Sequence, residues 1–499
     1  MVVTASHHAN PGRHPTTRID LHSDGAVPAG SPHRRTTAPS RRARRPDYGD
    51  VVVSRAEPSQ ARAILRLAVP AFLALVAEPL FLLADTAIVG HLGTAQLAGL
   101  GVASATLITA ANIFVFLAYG TTSIVARQVG AGSERGALEA GIDGTWLAIG
   151  LGAVTAAVVA LAAEPLCRVF GASDAAIGYA VTYLRISALG IPAMLVALAA
   201  NGVLRGLQDT RTPLVASIAG FGSNVVLNLV FVYGFGWGIA GSAWGTVIAQ
   251  TGMATGLVVV LVAHARRAGA SLHPHPGRVL AAGLTGIPLL VRTLALRAIL
   301  LVTTWVAAGL GDVPLAAHQV AMTVWSFLAF ALDALAIAAQ ALTGKALGAG
   351  DVEGARAATG LMVRWGVWGG AALGVLVLVA HTLLPGLFTG DEAVRAALAA
   401  ALVVVAVGQP LAGYVFVVDG VLIGAGDGAW LAKAMAATLV LYLPLVLAVH
   451  AAGDRLLSRG APAALAVLWL AFTAFMAIRA VFFWRRIRGD RWAVAGATR

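Results

Sequence analysis

Long apolar runs separated by short polar breaks fill almost the whole chain. They fall at 64–91, 97–126, 140–162, 175–204, 213–235, 239–264, 281–309, 314–344, 358–382, 393–424, 429–451 and 462–484. Each is long enough for an α-helix to cross a hydrocarbon core about 30 Å thick. The pattern predicts an all-α integral membrane protein with twelve transmembrane helices.

The same pattern repeats. A shift of 218 positions lays Pro70 on Pro288, "GAGSERGA" (130–137) on "GAGDVEGA" (348–355), "GIP" (190–192) on "GQP" (408–410) and "NGVLRGLQD" (201–209) on "DGVLIGAGD" (419–427), without a gap. Twelve helices are therefore two copies of six. An even number of spans gives both copies one orientation, related by an axis along the membrane normal, as in transporters that rock two halves around a site. A duplicated scaffold without transport is the plainer alternative. The expected domains are a leader at 1–60, an N-lobe with helices 1–6 at 61–265, a linker at 266–280, a C-lobe with helices 7–12 at 281–486 and a tail at 487–499.

Composition agrees: 58% of residues are hydrophobic and 12% charged, against about a quarter charged in soluble domains. The net charge of +12 does not indicate nucleic acid, because the arginines cluster in the leader and at the ends of apolar runs rather than on a soluble face. Arg127, Arg135, Arg205, Arg211, Arg266, Arg267, Arg278, Lys345, Arg356, Lys433 and the tail "RRIRGDR" fall on one side, against chiefly Arg168, Arg395, Arg455 and Arg459 on the other. The asymmetry predicts a multi-pass protein of the plasma membrane with both termini cytoplasmic. The leader is rich in Arg, Ser, Thr, Pro and His and reads as disordered; it lacks the pattern of a cleaved signal peptide. A single cysteine, Cys167, excludes an internal disulfide and a cysteine-rich metal site.

Against this apolar background the intramembrane polar groups stand out, since a carboxylate at mid-helix costs about 2.5–3.5 kcal/mol on insertion scales and normally faces a cavity or partner. Asp85 lies ~9 Å from the outer end of the first helix, and Glu78 two turns earlier on nearly the same face. Asn224 and Asn228 share one face of the fifth helix, with Asn228 at nearly the depth of Asp85, and Thr246 enters the sixth helix at a comparable level. These groups predict a proton- or cation-binding site in the outward half of the first copy. The plainer reading is that Asp85 accepts hydrogen bonds as packing glue. The second copy has Leu296 and Thr303 where the first has Glu78 and Asp85. It carries Arg292 and Arg297 in the seventh helix, Asp333 in the eighth and Asp419 in the tenth. Similar depths suggest an Arg292–Asp333 ion pair with a structural role. Pro70 and Pro288 are candidate bends or hinges. His91 and His318 read as interfacial side chains, and no Cys/His cluster suits a metal. "TGKALGAG" (343–350) fails the phosphate-loop pattern, so its glycines read as loop punctuation.

With the repeat, "LADTAIVGHLG", "LDALAIAAQALTGKALGAGD" and "VVDGVLIGAGD" in view, residues 64–486 resemble the multidrug and toxic compound extrusion (MATE) family, in its DinF-like branch. The resemblance implies two six-helix lobes in a V around a central cavity. It also implies a secondary antiporter exporting organic cations or other toxic compounds against inward H+ or Na+. Asp85 matches the family's first-helix acid, Pro70 its bend-forming proline, Asn224 and Asn228 its fifth-helix polar pair, and Thr246 its sixth-helix threonine. Relatives often carry Asp where this chain has Asn228, which leaves Asp85 the main matched acid unless Glu78 compensates. The NorM-like branch uses acids in the seventh and tenth helices; here the seventh offers arginines and the tenth-helix match is Ala412.

The expected partners are a small-molecule substrate and membrane lipid, with a monomeric chain, no nucleic acid and no cofactor beyond H+ or Na+ as coupling ion; H+ is favoured. A lipid-linked-saccharide flippase of the wider superfamily is the second reading, although such proteins often have fourteen helices and a markedly basic cavity. An integral-membrane enzyme is a third, for which no nucleophile–base set or metal motif is found.

Overall fold

The computed structural model describes residues 58–169 and 173–497, with the side chains of 58–60, Glu78, 81–83, 111 and 112 outside the description. The expected leader therefore lies outside the described residues up to Pro58.

The apolar runs become helices α1 (Pro58–Gly90), α2 (Thr94–Gly130), α3 (Glu134–Leu161), α4 (Asp174–Ala188 continued by Ile191–Gly206), α5 (Arg211–Gly234) and α6 (Gly238–Arg267). The second set is α7 (Pro276–Gly309), α8 (Asp312–Gly348), α9 (Val352–Ala380), α10 (Glu392–Gly424), α11 (Gly428–Ala451) and α12 (Ala461–Arg488). Among the described residues ten of these are long and apolar enough to cross a membrane, and α4, bent by 52° at Leu189–Gly190, makes eleven. With the 33 residues of α1 the expected twelve are complete. The linker is shorter than 266–280, because Pro276 opens α7, where its fixed φ and missing N–H suit a first helical turn.

The repeat extends to the stop and start signals. Gly132 and Gly350 turn the chain with φ of 76° and 80°, a backbone region open mainly to glycine. One residue later Ser133 and Asp351 accept from the amides of Gly136 and Gly354 and cap α3 and α9. Ser173 and Asp391 likewise cap α4 and α10. Each cap satisfies one otherwise unpaired amide of a helix start.

Packing inside the lobes relies on small residues, the usual route to close helix approach in lipid. A Cβ on Gly202 or Gly206 of α4 would overlap the backbone of Ala118 or Thr122 in α2, and one on Gly420 or Gly424 of α10 would overlap Ala336 or Gln340 in α8. The four contacts are two pairs related by the 218-residue shift.

Both lobes belong to one compact unit beginning at Ala56. They join along α2 and α8, with α1 on α8 and α7 on α2 and α3. The lobes meet closely at the helix ends that carry the basic residues. There a Cβ on Gly130 would overlap Lys345, and one on Gly348 would overlap Arg127, a reciprocal contact expected of two-fold related halves. Arg127 donates to the carbonyls of Ala425, Val494 and Gly496 at 2.8–2.9 Å. Gln340 Nε2 donates to Tyr119 O at 2.6 Å and Lys345 Nζ to Gln208 Oε1 at 2.9 Å. Beyond α12 the tail folds back: Trp492 is buried, Asp490 pairs with Arg356, and Gly496 N reaches Leu347 O.

Candidate functional site

The first lobe closes four helices around one acid. Asp85 of α1 is only 4% exposed. Its Oδ1 accepts from Asn228 Nδ2 of α5 at 2.7 Å and from Ser242 Oγ of α6 at 2.6 Å. Its Oδ2 accepts from the Tyr183 hydroxyl of α4 at 3.4 Å. Among the described residues no basic group pairs with it. The carboxylate is therefore held by neutral donors alone, which stabilise its charge without cancelling it.

Local sequence explains how these groups converge. Gly241 and Gly245 form a G-x-x-x-G face on α6, the spacing that lets membrane helices approach closely. A Cβ on Gly241 would overlap the backbone of Phe231, and one on Gly245 would overlap the Asn228 amide oxygen. Ser242, between them, is thus brought against Asp85. Directly after Asn228 the chain widens into a π-helical turn at Val230–Gly234, an irregularity frequent at functional sites. Tyr233, within that turn, donates to Ile88 O at 2.6 Å and ties α5 to the end of α1.

Asn224 and Thr246 form a second tier. Asn224 Nδ2 donates to Thr246 Oγ1 at 3.0 Å, and both line a small cavity with Gly220, Phe221, Ala249, Gln250 and Met253. The amide oxygens of Asn224 and Asn228 are buried without a hydrogen-bond partner among the described residues. Unpaired oxygens beside a carboxylate can receive a proton-bearing group or coordinate a hard cation.

The structure thus brings together Asp85, Asn228, Asn224 and Thr246 as the sequence predicts, and adds Tyr183 and Ser242, which sequence reasoning missed. Glu78, the expected companion of Asp85, has a side chain outside the described residues. Pro70 lies in α1, which runs unbroken through it as an α-helix.

In the second lobe Thr303 stands where Asp85 would, and its hydroxyl meets that of Tyr442 at 2.6 Å. The charged groups lie elsewhere. The ion pair expected between Arg292 and Asp333 is formed with Asp419 instead: Arg292 Nε donates to Asp419 Oδ1 at 3.2 Å and its Nη2 to Oδ2. Depth along the helices did not reveal which face of α8 Asp333 occupies, whereas α10 turns Asp419 onto α7. Arg479 of α12 also holds Asp419, at 3.1 Å. Asp333 is half-buried and Arg297 exposed. His318, expected at an interface, is 1% exposed, inside the C-lobe beside Trp469.

Comparison with known proteins agrees with this architecture. The family profile described as MatE matches twice, at 70–230 and 288–448; the second match starts and ends 218 positions after the first. Protein DETOXIFICATION 44, chloroplastic, of Arabidopsis thaliana is 32% identical, over 84% of this chain and 80% of the relative. DNA damage-inducible protein F of Escherichia coli strain K12 is 28% identical, over 88% of this chain and 95% of the relative. A solved multidrug resistance MATE family transporter of the MOP superfamily, in an outward-facing conformation, superposes with a TM-score of 0.76 at 22% identity, covering 87% of this chain and 96% of that one. Two matched halves, twelve helices and relatives spanning most of both chains lead to one conclusion: this chain belongs to the MATE family of membrane transporters.

Proposed function

We propose that the chain is a secondary antiporter that exports drugs or other toxic organic compounds, organic cations among them, from the cytoplasm across the plasma membrane in exchange for H+. Both termini are cytoplasmic in this reading. The observation that carries it is Asp85: a buried acid without a basic partner among the described residues, accepting from Asn228, Ser242 and Tyr183 across three further helices.

That ring can register a proton. As a carboxylate, Asp85 accepts from all three neighbours. Once protonated it becomes a donor, and Asn228 can satisfy it only by turning its unpaired amide oxygen inward. Ser242 must then redirect its hydroxyl. The exchange reorders contacts between α1 and α5, α6 and α4, and Pro70 gives α1 a place to bend in response. Loading Asp85 from outside and unloading it inside would then drive the lobes between their two arrangements, with binding free energy acting only through the difference between states. The names of the detoxification and multidrug resistance relatives support the substrate class.

Sodium is the second reading, favoured by the partnerless oxygens of Asn224 and Asn228 beside Asp85. In proteoliposomes an imposed pH gradient should drive export in the wild type and not in Asp85→Asn, while that variant keeps its elution profile and melting behaviour. A sodium gradient at clamped pH separates the two ions: export under sodium alone would replace H+ with Na+. Undiminished pH-driven export by Asp85→Asn would remove Asp85 from coupling altogether.

A further inference from the structure

Three helices of the second lobe enclose a polar gap that the chain itself does not fill. Gln409 of α10 and Trp469 of α12 line one cavity with Trp325 of α8 and Phe472 of α12. Gln409 is 1% and Trp469 2% exposed. Neither the Gln409 Oε1 acceptor nor the Trp469 Nε1–H donor has a hydrogen-bond partner among the described residues, so the two are complementary yet do not meet. A buried polar atom left unpaired is destabilising. Gln409 stands near the middle of a 33-residue helix, at a depth where hydrocarbon offers no water to satisfy it.

The 218-residue repeat shows that this pair is not part of the shared scaffold. Gln409 corresponds to Ile191 and Trp469 to Thr251. Ile191 is buried and apolar, and Thr251 donates its hydroxyl to Val247 O at 2.7 Å. The first lobe therefore packs these two positions without an orphaned group.

The pair is also held in place. A Cβ on Gly370 of α9 would overlap Gln409 O, so α9 clamps the backbone that carries the amide. Trp469 packs edge-on to Phe472 and beside His318, with ring centroids 5.3 and 5.7 Å away. Trp325 is the freer wall: it is half-buried, meets Phe472 edge-on at 5.2 Å and makes no hydrogen bond among the described residues. The cavity measures about 260 Å³ with its open side included, and its enclosed part admits a group little larger than a water. Among the described residues no charged side chain lines it. Apolar walls with a few polar groups that fix orientation are the usual make-up of a small-molecule site.

We propose that this cavity is a ligand site for an uncharged aromatic carboxamide. The amide oxygen takes the indole N–H of Trp469, the amide N–H is given to the Gln409 oxygen, and the aromatic ring lies at the open side against Trp325, edge or face to its neighbours. A charged ligand is disfavoured, because nothing lining the cavity balances it. A ketone answers the indole alone and leaves the glutamine oxygen buried and unpaired. On the reading of the chain as an exporter, such a compound is cargo held without charge pairing, apart from Asp85; the binding itself does not depend on that reading.

Binding is read on the full purified chain in detergent by fluorine NMR line broadening. The probe is para-fluorobenzamide, and para-fluoroacetophenone, with the same ring and carbonyl but no N–H, is the comparison. Wild type should bind the amide about tenfold more tightly than the ketone, the difference made by one buried hydrogen bond. Gln409→Leu should weaken amide binding about tenfold and erase the preference, whereas Trp469→Phe should weaken both probes. Without ligand, Gln409→Leu should melt at the wild-type temperature or above it, since it removes an unpaired buried group; the same measurement shows that the variant folds. A lower melting temperature together with no amide binding by the wild type would mean that the gap holds a structural water only, and would overturn the proposal. Equal affinity of the wild type for both probes, or amide binding untouched by Gln409→Leu, would overturn it as well. Export of ethidium from proteoliposomes under a pH gradient is measured separately. Amide binding without ethidium export keeps the site and removes the exporter reading, and ethidium export without amide binding does the reverse.

Discussion

Asp85 and Asn228 carry the character of the first lobe between them. An aspartate at 228 would place two acids 2.7 Å apart, where like charges cannot both ionise; the amide seen there instead donates one firm bond to a single acid. Hydrogen bonds to charged groups contribute about 1.5–3 kcal/mol, so Ser242→Ala, which removes a 2.6 Å donor, should slow pH-driven export by about tenfold or more. Tyr183→Phe removes a 3.4 Å contact and should do less. Initial rates in proteoliposomes check the order, and an equal or larger effect at Tyr183 would contradict it. Depth and spacing made Asp85, Asn224, Asn228 and Thr246 legible in the sequence. Ser242 and Tyr183 were not, because hydroxyls in these helices commonly bond their own chain, as Thr145 and Thr251 do to the carbonyls four residues back. The readable sign was the pair of glycines flanking Ser242. Arg479 was hidden differently: six residues before Arg485, it reads as another helix-end charge, and only the fold shows it turned inward to Asp419.

Among elements, glycine decides how close the helices come. Gly245→Ala would drive a methyl group into the Asn228 amide, so it should cost stability in the range of about 1–3 kcal/mol for overpacking and uncouple export as well. Gly150→Ala on the open face of α3 meets nothing within 4 Å; there the gain in helix propensity, up to about 1 kcal/mol, should raise the melting temperature. Thermal unfolding of the two variants checks both signs. The helices themselves were legible because a span needs an unbroken apolar run. The bend in α4 has a local sign in Gly190 and Pro192, but the matching "GQP" lies inside an unbroken α10, so the motif alone did not reveal it; the π-turn of α5 has no local breaker and is tied to α1 through Tyr233.

For the whole molecule the 218-residue repeat organises everything but the charges. Turns, caps and glycine contacts recur in both lobes, while Asp85 gives way to Thr303 and the arginines gather in the second lobe. The halves thus share a scaffold and divide the chemistry, one holding an unpaired acid and the other an excess of guanidinium. Their joint at the basic end is fastened by Arg127, which reaches the second lobe at Ala425 and the returning tail at Val494 and Gly496. Arg127→Ala, or removal of residues 490–499, should let that end part more often. Spin-label distances between the ends of α2 and α8, in a Cys167→Ser background, should then broaden toward longer values; an unchanged distribution would show the tail to be passive.

Coupling at Asp85 is the claim on which the rest depends, and it is tested most directly by imposing a pH gradient across proteoliposomes of wild type and Asp85→Asn and following a fluorescent compound that the wild type exports. The account predicts gradient-driven export by the wild type and none by the folded variant. Equal export by both would contradict it.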